Sequence, residues 1–144
     1  VNTIHYMLDN KYVRCSRSTN LFNKDTVIKD KYIRWGDGAL TTPLVSGDYY
    51  ASDFIEVKPS TTYTVSHQSQ SAFYDKNRVY ISGMDAGQPI TFTTPSNAKY
   101  FRMTITSHDN VLSQQMVEGE TLPSYQPYYI PDIPVNTINY ENVD

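Results

Sequence analysis

The only tryptophan of the chain lies in Tyr32-Ile33-Arg34-Trp35-Gly36-Asp37-Gly38, in the company of two charged side chains and two glycines. An indole on a loop offers a flat apolar face that can stack on the C–H face of a pyranose ring. Arg34 and Asp37 beside it can hold hydroxyl groups through paired hydrogen bonds. The same indole can instead cap one end of a β-core, the reading placed first, and both stay open here. The glycines favour a turn in either case. A second aromatic pair, Tyr49-Tyr50, follows Gly47-Asp48 at what reads as a loop-to-strand junction. Adjacent strand residues face opposite sides, so one tyrosine is expected at the surface if the other is buried. There it can stack on or hydrogen-bond a sugar, or simply be surface.

Two further residues complete the candidate ligand-binding set of Trp35, Arg34, Asp37, Tyr49, Tyr50, Tyr74 and Arg102. Arg102 interrupts an apolar run, Tyr100-Phe101-Arg102-Met103-Thr104-Ile105-Thr106. Pointing inward it needs a partner, for which Glu118 is a reasonable choice; pointing to a concave face it can hold a ligand hydroxyl or carboxylate. Tyr74 belongs to Phe73-Tyr74-Asp75-Lys76-Asn77. Asp75 and Asn77 are good turn formers, and the segment lacks the glycine and the terminal glutamate of an EF-hand loop. No cofactor is expected, with a structural Ca²⁺ as the one ion to consider.

Catalysis finds little support in these residues, and the chain is expected not to be an enzyme. Glycoside hydrolysis needs two carboxylates about 5–9.5 Å apart, and Asp37, Asp48, Asp75 and Asp85 fall in turn-like stretches. No nucleophile-elbow, zinc-protease or phosphate-loop pattern is present. The single Cys15 can form neither an intrachain disulfide nor a structural zinc site, and His5, His67 and His108 lack metal-ligand spacing.

The elements that must position these residues read as β. In a chain of 144 residues the aromatic share is 13%, and 13 tyrosines supply most of it. Tyrosine suits a half-buried strand, with an apolar body on the core and a hydroxyl in water. A net charge of −3 with scattered basic residues argues against nucleic acid. No apolar stretch approaches the roughly 20 residues that span a bilayer. The start, Val1-Asn2-Thr3-Ile4, lacks both a leader pattern and an initiator Met, so a piece of a longer protein is expected.

The period inside the chain is two. Asp53 to Val57 reads as a strand ended by Lys58-Pro59-Ser60-Thr61, and Thr62 to Ser66 alternates as a strand with one wet face does. Ala72-Phe73-Tyr74 and Val79-Tyr80-Ile81 flank a polar turn and read as a hairpin. Ile90 to Thr93 is a strand before Thr94-Pro95-Ser96-Asn97; Tyr100 to Thr106 and Ser113 to Val117 are two more, and no 11-residue window reads as an amphipathic helix. This pattern predicts an all-β chain, an antiparallel β-sandwich of jelly-roll type. Residues 20–129 are expected to be the folded unit, with residues 1–19 and 130–144 as connectors. Val1-Asn2-Thr3-Ile4-His5-Tyr6 nearly repeats as Val135-Asn136-Thr137-Ile138-Asn139-Tyr140, by chance or as a repeated connector.

Five ordered blocks carry a resemblance. They are Asn20-Leu21-Phe22-Asn23-Lys24, the run from Ala51 to Ser66, Ala72 to Asn77 with Ile81-Ser82-Gly83, Phe92 to Arg102, and Met116-Val117-Glu118-Gly119-Glu120-Thr121 with Tyr125-Gln126-Pro127-Tyr128. In this order they resemble the carbohydrate-binding-module-like jelly rolls appended to bacteriophage tail, baseplate and fibre proteins. The resemblance implies a non-catalytic module of a virion protein that attaches to host-surface glycans, assembles with other virion subunits and is homo-oligomeric. The alternative it carries is a structural or decoration module. The chain departs from the pattern at Met116-Val117-Glu118-Gly119, where a second acidic residue commonly precedes the glutamate. The loop from Trp35 to Tyr50 is this sequence's own, and ligand specificity is expected to reside there.

Overall fold

The computed structural model describes the backbone of residues 3–8 and 11–131, with side chains from Cys15 to Ile130. The chain is all-β: among the described residues it forms short antiparallel strands in several sheets, with one short α-helix and a single 3-10 turn at Lys24–Thr26. In order the strands are β1 (Thr3–Leu8), β2 (Lys11–Arg17), β3 (Ile28–Lys29), β4 (Tyr32–Ile33), β5 (Leu40–Thr41), β6 (Tyr49–Ala51) and β7 (Ile55–Glu56). They continue with β8 (Thr62–Val65), β9 (Ser71–Tyr74), β10 (Tyr80–Met84), β11 (Thr91–Thr93), β12 (Tyr100–Thr106), β13 (Met116–Glu118) and β14 (Tyr129–Pro131). A helix, α1 (His108–Ser113), lies between β12 and β13.

β12 organises the molecule. It pairs with β9 on one side and with β6 and β7 on the other, in the order β10-β9-β12-β6-β3. Its seven residues contain no Gly or Pro to break the ladder, and their alternation sorts two faces. Phe101, Met103 and Ile105 are fully buried on one face, where Phe73 joins them. A smaller sheet, β11-β8-β13, supplies Tyr63, Val65, Met116 and Phe92 to the same core. Phe92 joins the two sheets: its ring centroid lies 4.9 Å from that of Phe101 and 5.6 Å from that of Phe73. The other face of β12, with Tyr100, Arg102 and Thr104, meets a second cluster of Ile33, Ala51, Ala72 and Tyr74. Ile33 arrives there on the β4–β5 hairpin, its amide donating to Thr104 Oγ1 at 2.8 Å.

Several sequence expectations need correction. Part of the stretch expected as an N-terminal connector is strand: β1 and β2 form a hairpin, and β14 lies along β2 with Tyr129 opposite Arg17. Pro131 sits on an edge strand of that sheet, where its missing N–H costs little. The repeat at residues 135–140 lies outside the described residues. The strand expected from Asp53 to Val57 shrinks to β7, because the Asp53 carboxylate takes the Phe54 amide and turns the chain locally. Helix α1 is a further departure. Its six residues are too few for a period to show; Ser107 caps it by accepting from the Asn110 amide at 3.2 Å.

The chain ends of the unit are tied by Asn20, which is buried. Its Nδ2 donates to the carbonyls of Gln114 and Gln126, and its Oδ1 accepts from the amides of Phe22 and Met116. Every hydrogen-bonding site of the side-chain amide is thereby used, as burial of such a group demands. The same knot keeps Ser18 on the carbonyls of Pro127 and Tyr128.

Candidate functional site

Trp35 stands at the bend of the β4–β5 hairpin, and its loop is held to the outer face of the large sheet through main-chain groups. The Trp35 amide donates to Gln70 Oε1 at 3.1 Å, and its carbonyl accepts from the Tyr80 hydroxyl at 2.7 Å. Three residues on, the Gly38 carbonyl accepts from the Tyr74 hydroxyl at 2.6 Å. Each such bond contributes about 0.5–1.5 kcal/mol. None of them uses the indole, which remains 43% exposed. Trp35 is therefore a presented ring on an anchored loop, and not a plug in the core.

Two glycines make this close seating feasible. A Cβ at Gly83 on β10 would lie 1.9 Å from the Trp35 carbonyl oxygen, so only hydrogen fits there. Gly38 has φ +71°, and a Cβ on it would meet the rings of Tyr80 and Tyr74 at 2.7 and 2.9 Å.

Arg34 and Asp37 face each other across the same turn. Arg34 Nε and Nη2 donate to the two carboxylate oxygens at 2.9 and 2.5 Å, and the Ala39 amide adds a third bond to Asp37. The Arg34 hydrogen bond, with help from that amide, holds the Asp37 carboxyl well below its usual range, at about 2. The pair is exposed and shapes the turn.

The tyrosines divide as strand alternation requires. Tyr50 is 6% exposed and belongs to the core, its phenol pKa raised by hydrogen bonding to Asp48. Tyr49 is half-buried, pairs with Tyr32 at 6.1 Å and helps to line a shallow cleft of about 280 Å³ with Pro43, Leu44 and Val45. Gln70 lines that cleft and holds the Trp35 amide, which joins the two features. Tyr74 is 4% exposed, and burial pushes its phenol up to about 12. It acts on the site through Gly38.

Arg102 is 7% exposed and does not pair with Glu118, whose carboxylate is held by Lys58 Nζ at 3.0 Å on the smaller sheet. Its Nε donates to the Ser52 carbonyl at 2.9 Å, and its guanidinium carbon lies 4.4 Å from the centre of the Phe54 ring. Burial depresses its pKa. Asp75 is a turn former: Oδ1 accepts from the amides of Asn77 and Val79, and Arg78 takes the left-handed conformation at φ +61°.

The structure thus brings Trp35, Arg34 and Asp37 onto one surface with Tyr74 beneath, puts Tyr49 in an adjoining cleft, and leaves Tyr50 and Arg102 inside. Sequence reasoning missed Gln70, Tyr80 and Gly83, which seat the loop. Tyr80 lay in a stretch read as strand and Gly83 two residues beyond it, but nothing local marks either as a partner of Trp35. Among the described residues no group of three or more His, Cys, Asp or Glu side chains gathers as metal ligands would. Comparison with protein-family models, with curated proteins and with solved structures gives no match.

Proposed function

We propose that this chain is a non-catalytic glycan-binding module, a jelly-roll β-sandwich of the carbohydrate-binding-module type, which attaches a virion tail, baseplate or fibre protein to host-surface sugars. One observation carries the reading: a half-exposed tryptophan on a loop whose hydrogen bonds all run through its backbone or its neighbours. The loop backbone beneath such a ring is already ordered, so a sugar that stacks on it has only the indole left to immobilise. Arg34 and the Tyr49 cleft supply polar and apolar surroundings. A single shallow surface of this kind binds weakly; a millimolar Kd is about −4 kcal/mol. Adhesion then comes from many copies on one particle, where linkage raises avidity by orders of magnitude.

The test is a glycan array probed with the chain multimerised on beads, with Trp35→Ala alongside. Specific binding that disappears in Trp35→Ala at unchanged melting temperature supports the reading. A folded sample that binds no glycan and no host cell wall sinks it.

A structural module is the second reading, and one observation favours it. Leu44 is fully exposed and Val45 is 79% exposed, at the tip of the loop between β5 and β6. Exposed large apolar side chains side by side suit a protein interface. In that case Leu44→Asp abolishes assembly with neighbouring virion subunits and Trp35→Ala leaves adsorption intact.

A further inference from the structure

A cleft of about 500 Å³ lies where the chain enters and leaves the folded unit, and it shares no lining residue with the Trp35 surface. Its size falls within the range of small-molecule sites. Arg17 from β2, Tyr128 just before β14, and Asp53 and Glu56 around β7 line it. Asn20 and Ser18 hold these segments together through the bonds described above.

The polar groups of this cleft are unevenly committed. The Arg17 guanidinium is stacked 3.5 Å above the centre of the Tyr128 ring and gives one long bond, 3.4 Å, to the Asn20 carbonyl. Its Nε is buried and has no hydrogen-bond partner, which a folded protein rarely tolerates without a reason. Glu56 is held by Lys99 Nζ at 3.3 Å. Asp53 is exposed, spends one oxygen on the Phe54 amide, and has no cationic side chain within ion-pair distance among the described residues. The lining therefore offers the Arg17 Nη N–H groups not spent on Asn20, and the Asp53 carboxylate, which acts electrostatically on Arg102 but is in no described ion pair.

These charges select the ligand. An anion that approaches Arg17 meets Asp53, and a cation that approaches Asp53 meets Arg17. A neutral polyol uses both, since a hydroxyl donates to a carboxylate and accepts from a guanidinium. Leu21 and the outer face of the Arg17 guanidinium, stacked on Tyr128, give the lining an apolar share that suits the C–H groups of a pyranose, while the Phe54 ring is covered by Arg78 and Arg102. We infer that this cleft is a second binding site, which takes one or two residues of an uncharged saccharide. The inference shares the saccharide class of the function proposed above but not its site, so the two fail separately.

The experiment is an amide NMR titration of the whole chain with methyl glycosides of glucose, galactose, mannose and N-acetylglucosamine, with maltose and lactose, and with glucuronate and choline. The expected result is saturable shifts at Ser18, Phe54 and Tyr128 with at least one neutral sugar, and weaker effects from both charged probes. Asp53→Asn keeps the acceptor for the Phe54 amide but removes the charge, and is expected to weaken that sugar about tenfold. Trp35→Ala leaves these shifts unchanged. Three outcomes overturn the inference: no shift at these amides with any neutral probe, tighter binding of glucuronate or choline, or a sugar affinity that Asp53→Asn does not alter. A melting temperature for Asp53→Asn equal to that of the parent excludes misfolding as the cause of any loss.

Discussion

The hydroxyl of Tyr74 donates to the carbonyl oxygen of Gly38 at 2.6 Å, joining the central sheet to the loop that carries Trp35. Tyr74 lies on β9, and its ring meets Phe54 edge-on at 5.0 Å, so the packing of the sheet face fixes where that loop turns. Removing the hydroxyl keeps the ring and leaves the Gly38 carbonyl without its buried donor. Tyr74→Phe is therefore expected to cost about 1–2 kcal/mol in urea unfolding. An unchanged midpoint would show that the bond does not hold the loop.

Gly83→Ala is expected to cost more. The added methyl meets the Trp35 carbonyl oxygen at 1.9 Å, and that atom is backbone which cannot rotate away. Overpacking of this kind typically costs about 1–3 kcal/mol, and the upper end is expected here. Trp35 is the only tryptophan, so its fluorescence reports the loop directly. A red-shifted emission maximum in Gly83→Ala, with far-UV dichroism retained, is the expected signature; an unshifted spectrum contradicts the seating described.

Acid leaves the Arg34–Asp37 turn intact over an unusual range. The folded pKa of Asp37 is depressed to about 2 from an unfolded value near 3.8. The contribution of this group to stability is thus present above the unfolded pKa and lost as pH falls through about 2. The Ala39 amide, which donates to Asp37, is expected to titrate in NMR only near pH 2, and to lose that transition in Asp37→Asn. A midpoint near 4 would mean that the pair does not form in solution.

At the alkaline end Tyr74 sets the sign. Its folded pKa is raised to about 12 from 10.0, chiefly by burial. The folded state keeps a proton that the unfolded chain releases above pH 10, so stability present below pH 10 is lost as pH rises towards 12. Two units correspond to at most about 3 kcal/mol. Denaturation midpoints that fall between pH 10 and 12 in the parent, and fall less in Tyr74→Phe, are expected.

Leu44 and Val45 are solvated at a loop tip and contribute nothing to the core. Leu44→Asp with Val45→Asp is expected to leave stability within about 0.5 kcal/mol. Light scattering at high concentration is expected to show less self-association. A lower melting temperature would place these side chains in packing that the fold does not display.

Much of the strand content was legible in local patterns. Tyr100–Thr106 is a strand with the expected limits, and Thr62–Val65 falls short of its expected end by one residue, because alternation with no Gly or Pro leaves a ladder as the natural outcome. The β9–β10 hairpin follows from Asp75 and Asn77, whose turn chemistry needs no distant partner. Helix α1 was not legible. Its entry depends on Asp48, sixty residues away, which accepts from the Ser107 and His108 amides. Arg102 read first as an ion pair with Glu118 and second as a ligand contact. The ion pair does not form, since Glu118 lies on the smaller sheet with Lys58 and the guanidinium packs on Phe54.

The sequence by itself determined the all-β class, the turns, and the short list of side chains with chemistry to offer, because strand period and turn preference act between residues a few positions apart. Only the tertiary structure decided which of them meet. Gln70, Tyr80 and Gly83 seat Trp35 from 35 to 48 positions away, and Asn20 joins Gln126 across 106. Such partnerships arise from how two sheets and a hairpin pack, where one position along a strand reverses the face a side chain occupies. A local pattern carries no record of that choice.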